Sequence, residues 1–569
     1  MSTVLLCGVS SFRLRSGCWS DYVQDARRIP LDRVTAHLYT YTAETQSTPS
    51  FSVISAESGC RLGQRIKPIR RANRINRLTF FLRSLRLCGE QLLDRVILVA
   101  LLLMGMAARL LPLTANRFHQ DEAIYSYWGR LIASGRDPLL LSYPVDKPPL
   151  LPYLLALTFR AFGAGEVSAR LPGIAASVLT IALTYVLARR VYGTGPALVA
   201  MVFMALSPFN ILFAPTAFTD PLMVMWVVAA LWCAVGGRWF WAGVCLGLAM
   251  ATKQQGALFA PLIVAGGAGF RVASSKLRVA RKFAVFVAGF VLPMAAVTLW
   301  DMQRWSVQPS YFEKGLTSYG ALRLASCAEW GRRLGEWLGW LRYITASPTL
   351  NLALLFGIPL LLWISWREMR SSPAARFDFV LVGYLILYLL SHWLLTFNVW
   401  DRYLLGLVPL LSMLLGRVVQ GVGLVGNPTY RIVAVTLVVV LLARPAWIAA
   451  HSGYPVGGDH WAYVGIDAVA DYLRTEMPPG SVLYHRYLGW HYLFYLFDAP
   501  VDLRWYNSPS RLAEDARQID DVPRYVALPG WEPRLPVQAA LRHVGLDLHP
   551  LFRTVRTDGT VSFTVYRIE

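Results

Sequence analysis

The chain has 569 residues, of which 55% are hydrophobic, and it contains 20 Trp and 26 Tyr. Together with a positive mean hydropathy, this composition is typical of a multi-span membrane protein and argues against a soluble enzyme. The formal net charge is +21, but the basic residues lie in the amino-terminal tail and in short connections between apolar runs. We therefore expect no nucleic acid partner. The seven cysteines form no CxxC pair, which argues against a zinc site or a disulfide framework.

Residues 1–90 are rich in Arg, Ser and Thr and contain no apolar run long enough to cross a membrane. They also lack the pattern of a signal peptide. We predict a basic, cytoplasmic and largely disordered leader, whose segment 75–90 mixes Arg with Phe and Leu and could lie on an anionic leaflet. The alternative is that much of this leader is an over-long gene start without function.

From residue 93 the chain contains apolar runs close to the roughly 20 residues that a helix needs to cross a bilayer. They predict a transmembrane domain over residues 91–450 with about eleven spans. The predicted spans are 93–113, 171–188, 196–213, 218–235, 239–253, 256–270, 283–300, 348–366, 378–397, 403–420 and 431–449.

The segment 148–163 is apolar but short, contains three prolines and has Arg160 near its end. If it lies along the membrane surface, most Arg and Lys clusters between the spans fall on the cytoplasmic side, as the positive-inside rule requires. If it crosses the membrane, most of them fall outside. We therefore predict a juxtamembrane or re-entrant helix here.

This topology places several polar groups on the non-cytoplasmic face of the membrane. Ionisable side chains at membrane depth are costly, so they usually pair with one another or line a site. For each one alone, an interfacial helix end is an equally good explanation, but their agreement on one face favours a site. These groups are Asp121, Glu122, Asp220, Lys253, Asp401 and Arg402.

Two motifs in the first loop indicate what this site does. Asp121, Tyr125 and Trp128 have helical spacing, so a carboxylate would lie beside an aromatic surface and act as a general base towards a hydroxyl. Lys147 precedes two prolines that hold the chain extended, and a lysine held in this way can contact a phosphate. The alternative is that the lysine anchors the loop at the membrane interface.

The ordered motifs of the transmembrane domain resemble those of the GT-C glycosyltransferases of the protein-O-mannosyltransferase and aminoarabinose-transferase type. The resemblance covers residues 93–420. The motifs are DEAIYSYWGRLIASG, DKPPLLPYLLALTFRAFG, SARLPGIAASVLTIALTYVLARRVYG, TDPLMV, GLAMATKQQG and WDRYLLGLVPLL.

The resemblance implies an all-α, polytopic GT-C fold with juxtamembrane helices in the first extracytoplasmic loop. It also implies a hexosyl- or pentosyltransferase that moves a sugar from a polyprenyl-phosphate carrier to an acceptor hydroxyl on the extracytoplasmic face, with inversion. The partners would be the lipid-linked donor, membrane lipid, and an acceptor protein, lipid or glycan. We expect an integral membrane protein, located in the plasma membrane if the source is bacterial.

Roles are carried over to the positions that match the motifs. Asp121 is implied to be the catalytic residue, Glu122, Tyr125 and Asp220 to line the donor and acceptor site, and Lys147, Lys253 and Arg402 to meet the phosphate. Gln254 and Gln255 depart from the family, which often has Gly and Pro after the lysine. The residues require no cofactor, although a divalent metal would find hard oxygen ligands in Asp121, Glu122 and Asp220.

After residue 450 the hydrophobic runs stop, and residues 451–569 predict a small extracytoplasmic α/β domain. Its pattern indicates a helix closed by a Pro-Pro-Gly turn, a strand at SVLYHRY, a helix at SRLAEDARQI, a strand at YVALP and a hairpin through Asp558 and Gly559. Its histidines, His460 among them, are too scattered to indicate a metal site.

Two other classes of protein compete with a glycosyltransferase. A transporter or lipid flippase would show internal repeats and charges near the bilayer midplane, and this sequence has no such repeat. A scaffold that only presents the carboxy-terminal domain would leave the polar cluster unexplained. The sequence leaves open the sugar, the acceptor, the type of carrier, the oligomeric state and the roles of the leader and the carboxy-terminal domain.

Overall fold

The structure is a computed structural model that describes residues 95–270, 276–318, 323–421, 423, 428–459 and 461–569. The predicted leader, residues 1–90, and His460 lie outside the described residues.

Helices make up the described chain up to residue 450. The first, α1, covers residues 95–110. The others are α2 (Gln120–Ser134), α3 (Leu150–Phe162), α4 (Glu166–Tyr192), α5 (Thr194–Leu206), α6 (Pro208–Phe213), α7 (Thr219–Val235), α8 (Trp239–Thr252), α9 (Ala260–Phe270), α10 (Lys276–Met302), α11 (Tyr311–Ser318), α12 (Cys327–Leu341), α13 (Pro348–Glu368), α14 (Pro373–Leu394), α15 (Val408–Gly421) and α16 (Pro428–Ala450), with 3₁₀ turns at Gln254–Phe259, Arg342–Ile344 and Asp401–Leu407.

Six helical segments of the described chain are long and apolar enough to cross a membrane on their own. Several shorter apolar helices, such as α5, α7 and α8, accompany them. Each of the predicted spans overlaps a helix of the structure. The chain is therefore an integral, multi-pass membrane protein, as predicted.

The predicted span 196–213 is wrong as a single helix. It is divided into α5 and α6, because Ser207 has an extended backbone with ψ of 125° and Pro208 begins the second helix. Proline lacks the N–H that a continuous helix would need, and it disfavours helical backbone in the residue before it.

The ambiguous segment 148–163 forms α3, which has 13 residues and ends at Gly163, where φ is +82°. A helix of this length spans roughly 20 Å, which is shorter than the hydrocarbon core of a bilayer. Its packing partner is the first-loop helix α2, where Gly129 lies so close to α3 that an added Cβ would stand 2.7 Å from the Cβ of Leu155. Its placement as a juxtamembrane or re-entrant helix stays a prediction.

The carboxy-terminal residues form the small sheet domain that the sequence predicts. Its elements are α17 (Ile466–Glu476), β1 (Val482–His485), α18 (Gly489–Tyr495), β2 (Asp502–Trp505), α19 (Pro509–Gln518), β3 (Arg524–Pro529), α20 (Arg534–His543), β4 (Leu548–Val555) and β5 (Val561–Ile568). The strand order is β2-β1-β3-β5-β4. The first three strands are parallel, and β5 is antiparallel to β3 and β4.

Both faces of this sheet are covered, because its buried side chains alternate between two cores. Leu483 packs with residues of α17 and α18, whereas its neighbours Val482 and Tyr484 pack with residues of α19 and α20 on the other face. The predicted β4–β5 hairpin is confirmed. The sequence reading omitted α18, β2 and α20, which are short or lack a clear period.

Helix α18 attaches this domain to the first loop of the membrane domain. The backbone oxygen of Phe118 lies 2.8 Å from Nε2 of His491. Arg130 of α2 donates to the backbone oxygen of Phe494 at 2.6 Å and to Asp498 at 3.0 Å. The carboxy-terminal domain therefore supports α2, the helix whose first turn contains Asp121.

Candidate active site

The first turn of α2 is fixed by a capping box. Nδ1 of His119 accepts a hydrogen bond from the backbone N–H of Asp121 at 3.1 Å, and the Glu122 carboxylate accepts from the backbone N–H of His119 at 2.9 Å. Such reciprocal bonds satisfy N–H groups that a helix start leaves without partners. Two carboxylates thus stand at the positive end of the helix dipole, where negative charge is stabilised.

Asp121 forms an ion pair with Arg402, which lies 281 residues further along the chain. Nη1 of Arg402 donates to Oδ2 of Asp121 at 2.5 Å. The guanidinium lies 4.3 Å from the ring centroid of Trp400 and 5.0 Å from that of Phe218, which favours a cation. The Asp121 side chain is 22% exposed and that of Arg402 only 9%, so the carboxylate is the more accessible partner.

The surroundings of Asp121 keep its carboxylate ionised. Burial alone would raise the pKa of Asp121, but the positive charge of Arg402, with smaller contributions from His119 and Lys147, outweighs it and holds the pKa well below its ordinary value. A carboxylate in this state can accept a proton at neutral pH.

The Asp121–Arg402 pair borders a cavity of about 330 Å³. Its wall combines acidic, amide and aromatic side chains from the first loop, from the segment around Asp401 and from the start of the carboxy-terminal region. The lining residues are His119, Gln120, Asp121, Ile124, Tyr125, Asp146, Phe213, Phe218, Ser318, Asn398, Trp400, Asp401, Arg402 and Gly458. This size and mixture of groups are typical of a site for a small polar ligand.

Each of the two predicted phosphate-binding lysines is held by a carboxylate. Nζ of Lys147 lies 2.7 Å from Oδ2 of Asp146, and Nζ of Lys253 lies 2.6 Å from Oδ1 of Asp220. Lys253 also lies 4.6 Å from the ring centroid of Tyr403. Asp146 is in the cavity wall as described, whereas the two lysines lie outside that wall. To contact a phosphate in the cavity, either ammonium group would have to turn away from its carboxylate.

Glu122 faces away from the cavity. Its side chain is fully buried and accepts hydrogen bonds from the backbone N–H groups of Ala217, at 2.8 Å, and His119, while Arg170 lies 3.5 Å away. Burial raises the pKa of Glu122, and Arg170 and the two N–H groups oppose this effect. These contacts are those of a residue that joins α2 to the loop before α7.

The other predicted site residues divide between the cavity and its surroundings. Tyr125 lines the cavity and packs against Trp128, with ring centroids 5.7 Å apart. Asp220 is buried against Lys253. The structure thus brings Asp121, Tyr125 and Arg402 together directly.

Sequence reasoning missed several residues of the cavity wall. His119 carries a signal, since it stands three residues before Glu122 in the pattern of a capping box. Asp146 precedes Lys147 in the DKPP motif, and its charge could have been paired with that lysine. No sequence pattern indicated Gly458. The segment that contains it is held at the cavity by Asp401, whose carboxylate accepts a hydrogen bond from the backbone N–H of the preceding Gly457 at 3.0 Å.

The three carboxylates suggested as metal ligands do not converge. Asp121 binds Arg402, Asp220 binds Lys253, and Glu122 binds backbone N–H groups. Within the described ranges, no group of three or more His, Cys, Asp or Glu side chains is placed to share an ion. In this arrangement the three carboxylates do not form a shared ion site.

Comparison with known proteins agrees with this architecture. Residues 146–300 match the family model of dolichyl-phosphate-mannose-protein mannosyltransferases. No curated protein sequence gives a significant match.

Solved structures of membrane proteins are similar over most of the chain. ArnT from Cupriavidus metallidurans in the apo state is 16% identical with a TM-score of 0.58, covering 85% of this chain and 98% of ArnT. The same protein bound to undecaprenyl phosphate is 15% identical with a TM-score of 0.56, covering 84% and 98%. The apo oligosaccharyltransferase of Archaeoglobus fulgidus is 14% identical with a TM-score of 0.52, covering 83% and 74%. The chain therefore has the GT-C fold, and the resemblance of its motifs to the GT-C glycosyltransferases is confirmed.

Proposed function

We propose that this protein is a glycosyltransferase that moves a sugar from a polyprenyl-phosphate carrier to an acceptor hydroxyl, with inversion at the sugar. The observation that carries the proposal is the ion pair of the Asp121 carboxylate with Arg402 at the wall of a cavity of about 330 Å³. The ion pairs of Lys147 with Asp146 and of Lys253 with Asp220 lie in segments that are joined by the hydrogen bond from Gln254 to the backbone oxygen of Asp146. This arrangement offers a base and cationic groups on one side of the membrane domain.

The chemistry of the transfer needs both kinds of group. As the acceptor oxygen forms its bond to the anomeric carbon, its proton passes to the Asp121 carboxylate. The bond from the anomeric carbon to the phosphate oxygen breaks, and its electron pair leaves with the polyprenyl phosphate. A positioned base of this kind contributes about a hundred- to ten-thousand-fold to such a reaction.

The departing phosphate gains negative charge, and preorganised cations stabilise such charge. Arg402 is already in the cavity wall and would be the first cation that the phosphate meets. Lys147 and Lys253 would join it by exchanging their bonds to Asp146 and Asp220 for bonds to phosphate oxygens. The carboxylates released in this exchange would then be free to hold sugar hydroxyl groups.

A lipid-linked donor explains why the site is built into a membrane protein, since an isoprenoid tail needs an apolar environment beside the cavity. The similar ArnT structure bound to undecaprenyl phosphate and the match of residues 146–300 to dolichyl-phosphate-mannose-dependent enzymes support a polyprenyl carrier. The sugar and the acceptor are to be found by experiment.

The test is the release of sugar from a panel of radiolabelled polyprenyl-phosphate sugars by the purified full-length protein. We expect transfer from at least one donor, with equal amounts of polyprenyl phosphate formed. Binding or translocation of the lipid without cleavage of the bond to the sugar would instead favour the transporter or flippase class.

We further propose that the cavity opens on the extracytoplasmic side, a conclusion that depends on the distribution of Arg and Lys between the spans. Single cysteines at Tyr143 and Val307 should react with a membrane-impermeant thiol reagent on intact cells. A cysteine at Ser275, which lies outside the described residues, should not. Labelling of the cysteine at position 275 but of neither other cysteine would indicate the opposite orientation in the membrane.

A further inference from the structure

The turn that follows α8 contains the two glutamines that depart from the family pattern, and both make contacts. Nε2 of Gln255 lies 3.2 Å from the hydroxyl oxygen of Tyr388 and 3.0 Å from Nε2 of His392, both on α14. Gln254 reaches the other way, and its Nε2 donates to the backbone oxygen of Asp146 at 2.7 Å. The turn that carries Lys253 is thereby joined to α14 on one side and to the DKPP loop on the other.

The bond from Gln254 connects the two candidate phosphate-binding lysines. Lys253 immediately precedes Gln254, and Lys147 immediately follows the Asp146 carbonyl that accepts the bond. The lysines lie 106 positions apart in the sequence, yet this one bond joins the residues next to them. The bond therefore fixes the separation of the two loops that carry the lysines.

Gly315 of α11 lies directly against this bond. A Cβ added at this position would stand 2.8 Å from Nε2 of Gln254 and 3.1 Å from the backbone oxygen of Asp146. The first atom is the end of a flexible side chain and can move, but moving it breaks the hydrogen bond. Glycine at this position therefore leaves room for the bond between the two loops.

We propose that Gln254 is a positioning residue that sets the spacing of Lys147 and Lys253 for the carrier phosphate, and that Gly315 permits its hydrogen bond. This inference rests on the proposed function. Gln254 is a position at which the chain departs from the family pattern. The contact with Gly315 also places α11 beside the two loops that carry the candidate phosphate-binding lysines.

The test measures binding of undecaprenyl phosphate, and separately of dolichyl phosphate, to the purified full-length protein. The variants Gln254→Ala and Gly315→Ala should each bind the better of the two probes about threefold to tenfold more weakly, as expected for the loss of one hydrogen bond. The double variant should bind no more weakly than Gln254→Ala, because without the amide group the added methyl at position 315 has no hydrogen bond left to break.

Two matched control variants distinguish a specific effect on the spacing of the lysines from a general effect of the substitutions on the fold. Gln308 also donates to a backbone oxygen of the first loop, that of Leu141 at 2.9 Å, but it is not next to either lysine. A Cβ added at Gly331 would meet no atom within 4 Å. Gln308→Ala and Gly331→Ala should bind the phosphate as the wild type does.

The possible outcomes are distinct. Wild-type affinity in Gln254→Ala, or additive losses in the double variant, would overturn the positioning role while leaving the proposed function intact. Failure of the wild-type protein to bind either probe would overturn the proposed function and this inference with it.

Discussion

The first turn of α2 carries two adjacent carboxylates in opposite situations. Asp121 faces the cavity, with 22% of its side chain exposed and a single ion pair to Arg402. Glu122 is fully buried, and its oxygens accept from two backbone N–H groups beside Arg170. Successive helical residues point about 100° apart, so one residue is open to chemistry and its neighbour holds the helix in place.

Two adjacent acidic residues of one motif can therefore have different roles. A buried carboxylate whose two oxygens each accept from a backbone N–H group is poorly placed to meet a substrate, whereas one that is held at one oxygen keeps the other available. Substitutions at these two residues and at their neighbours test this division of roles.

Asp121→Asn should reduce sugar transfer by about a hundred- to ten-thousand-fold, because an amide cannot take the proton of the acceptor hydroxyl. The amide oxygen can still accept a hydrogen bond from Arg402, so the variant should remain folded and inserted. Turnover is measured with a lipid-linked sugar, and folding by size exclusion in detergent. A variant with lost folding as well as lost turnover would indicate a structural carboxylate.

Lys147→Ala and Lys253→Ala, made separately, should weaken use of the donor by about ten- to a hundredfold, since a charge-assisted hydrogen bond is worth about 1.5 to 3 kcal/mol. The control is Lys276→Ala at the start of α10, at the opposite end of that helix from the candidate site by the predicted topology. Equal donor use by all three variants at equal expression would remove both lysines from the phosphate site.

Glu122→Gln should lower the free energy of unfolding by about 1 to 3 kcal/mol, because the amide NH₂ group would face a backbone N–H with no acceptor between them. Turnover per folded molecule should stay within about tenfold of the wild type. Thermal unfolding in detergent, combined with the transfer assay, measures both quantities. A normal unfolding midpoint with lost turnover would place Glu122 in the chemistry.

Arg402→Gln should move the acid limb of the transfer profile to higher pH. The pKa of Asp121 is lowered in the folded protein, so its carboxylate is active above that pKa and loses activity as the pH falls through it. Without Arg402, burial is less opposed and the pKa rises. The measurement is the pH dependence of kcat/KM, with Lys253→Ala as a control whose acid limb should stay in place.

The features that could be predicted from the sequence are those that depend on residues close together in the chain. The membrane helices follow from apolar runs, which are local, and Asp121, Tyr125 and Arg402 were identified from local motifs. The break at Ser207 and Pro208 was missed because hydropathy does not register a change of backbone direction.

The separation of Asp121 from Glu122 in role required the fold. Besides the local N–H of His119, the partners of Glu122 are the backbone of Ala217 and the side chain of Arg170, which lie on other elements. Likewise, the bond between Gln254 and the Asp146 carbonyl joins positions 108 residues apart. No local pattern in the sequence indicates such a contact.

The most direct measurement is a single-turnover transfer assay of Asp121→Asn and Glu122→Gln side by side, on one lipid-linked donor and normalised to folded protein. A base at Asp121 predicts at least a hundredfold lower rate for Asp121→Asn and a rate within about tenfold of wild type for Glu122→Gln. Wild-type transfer by well-folded Asp121→Asn protein would contradict the proposed mechanism.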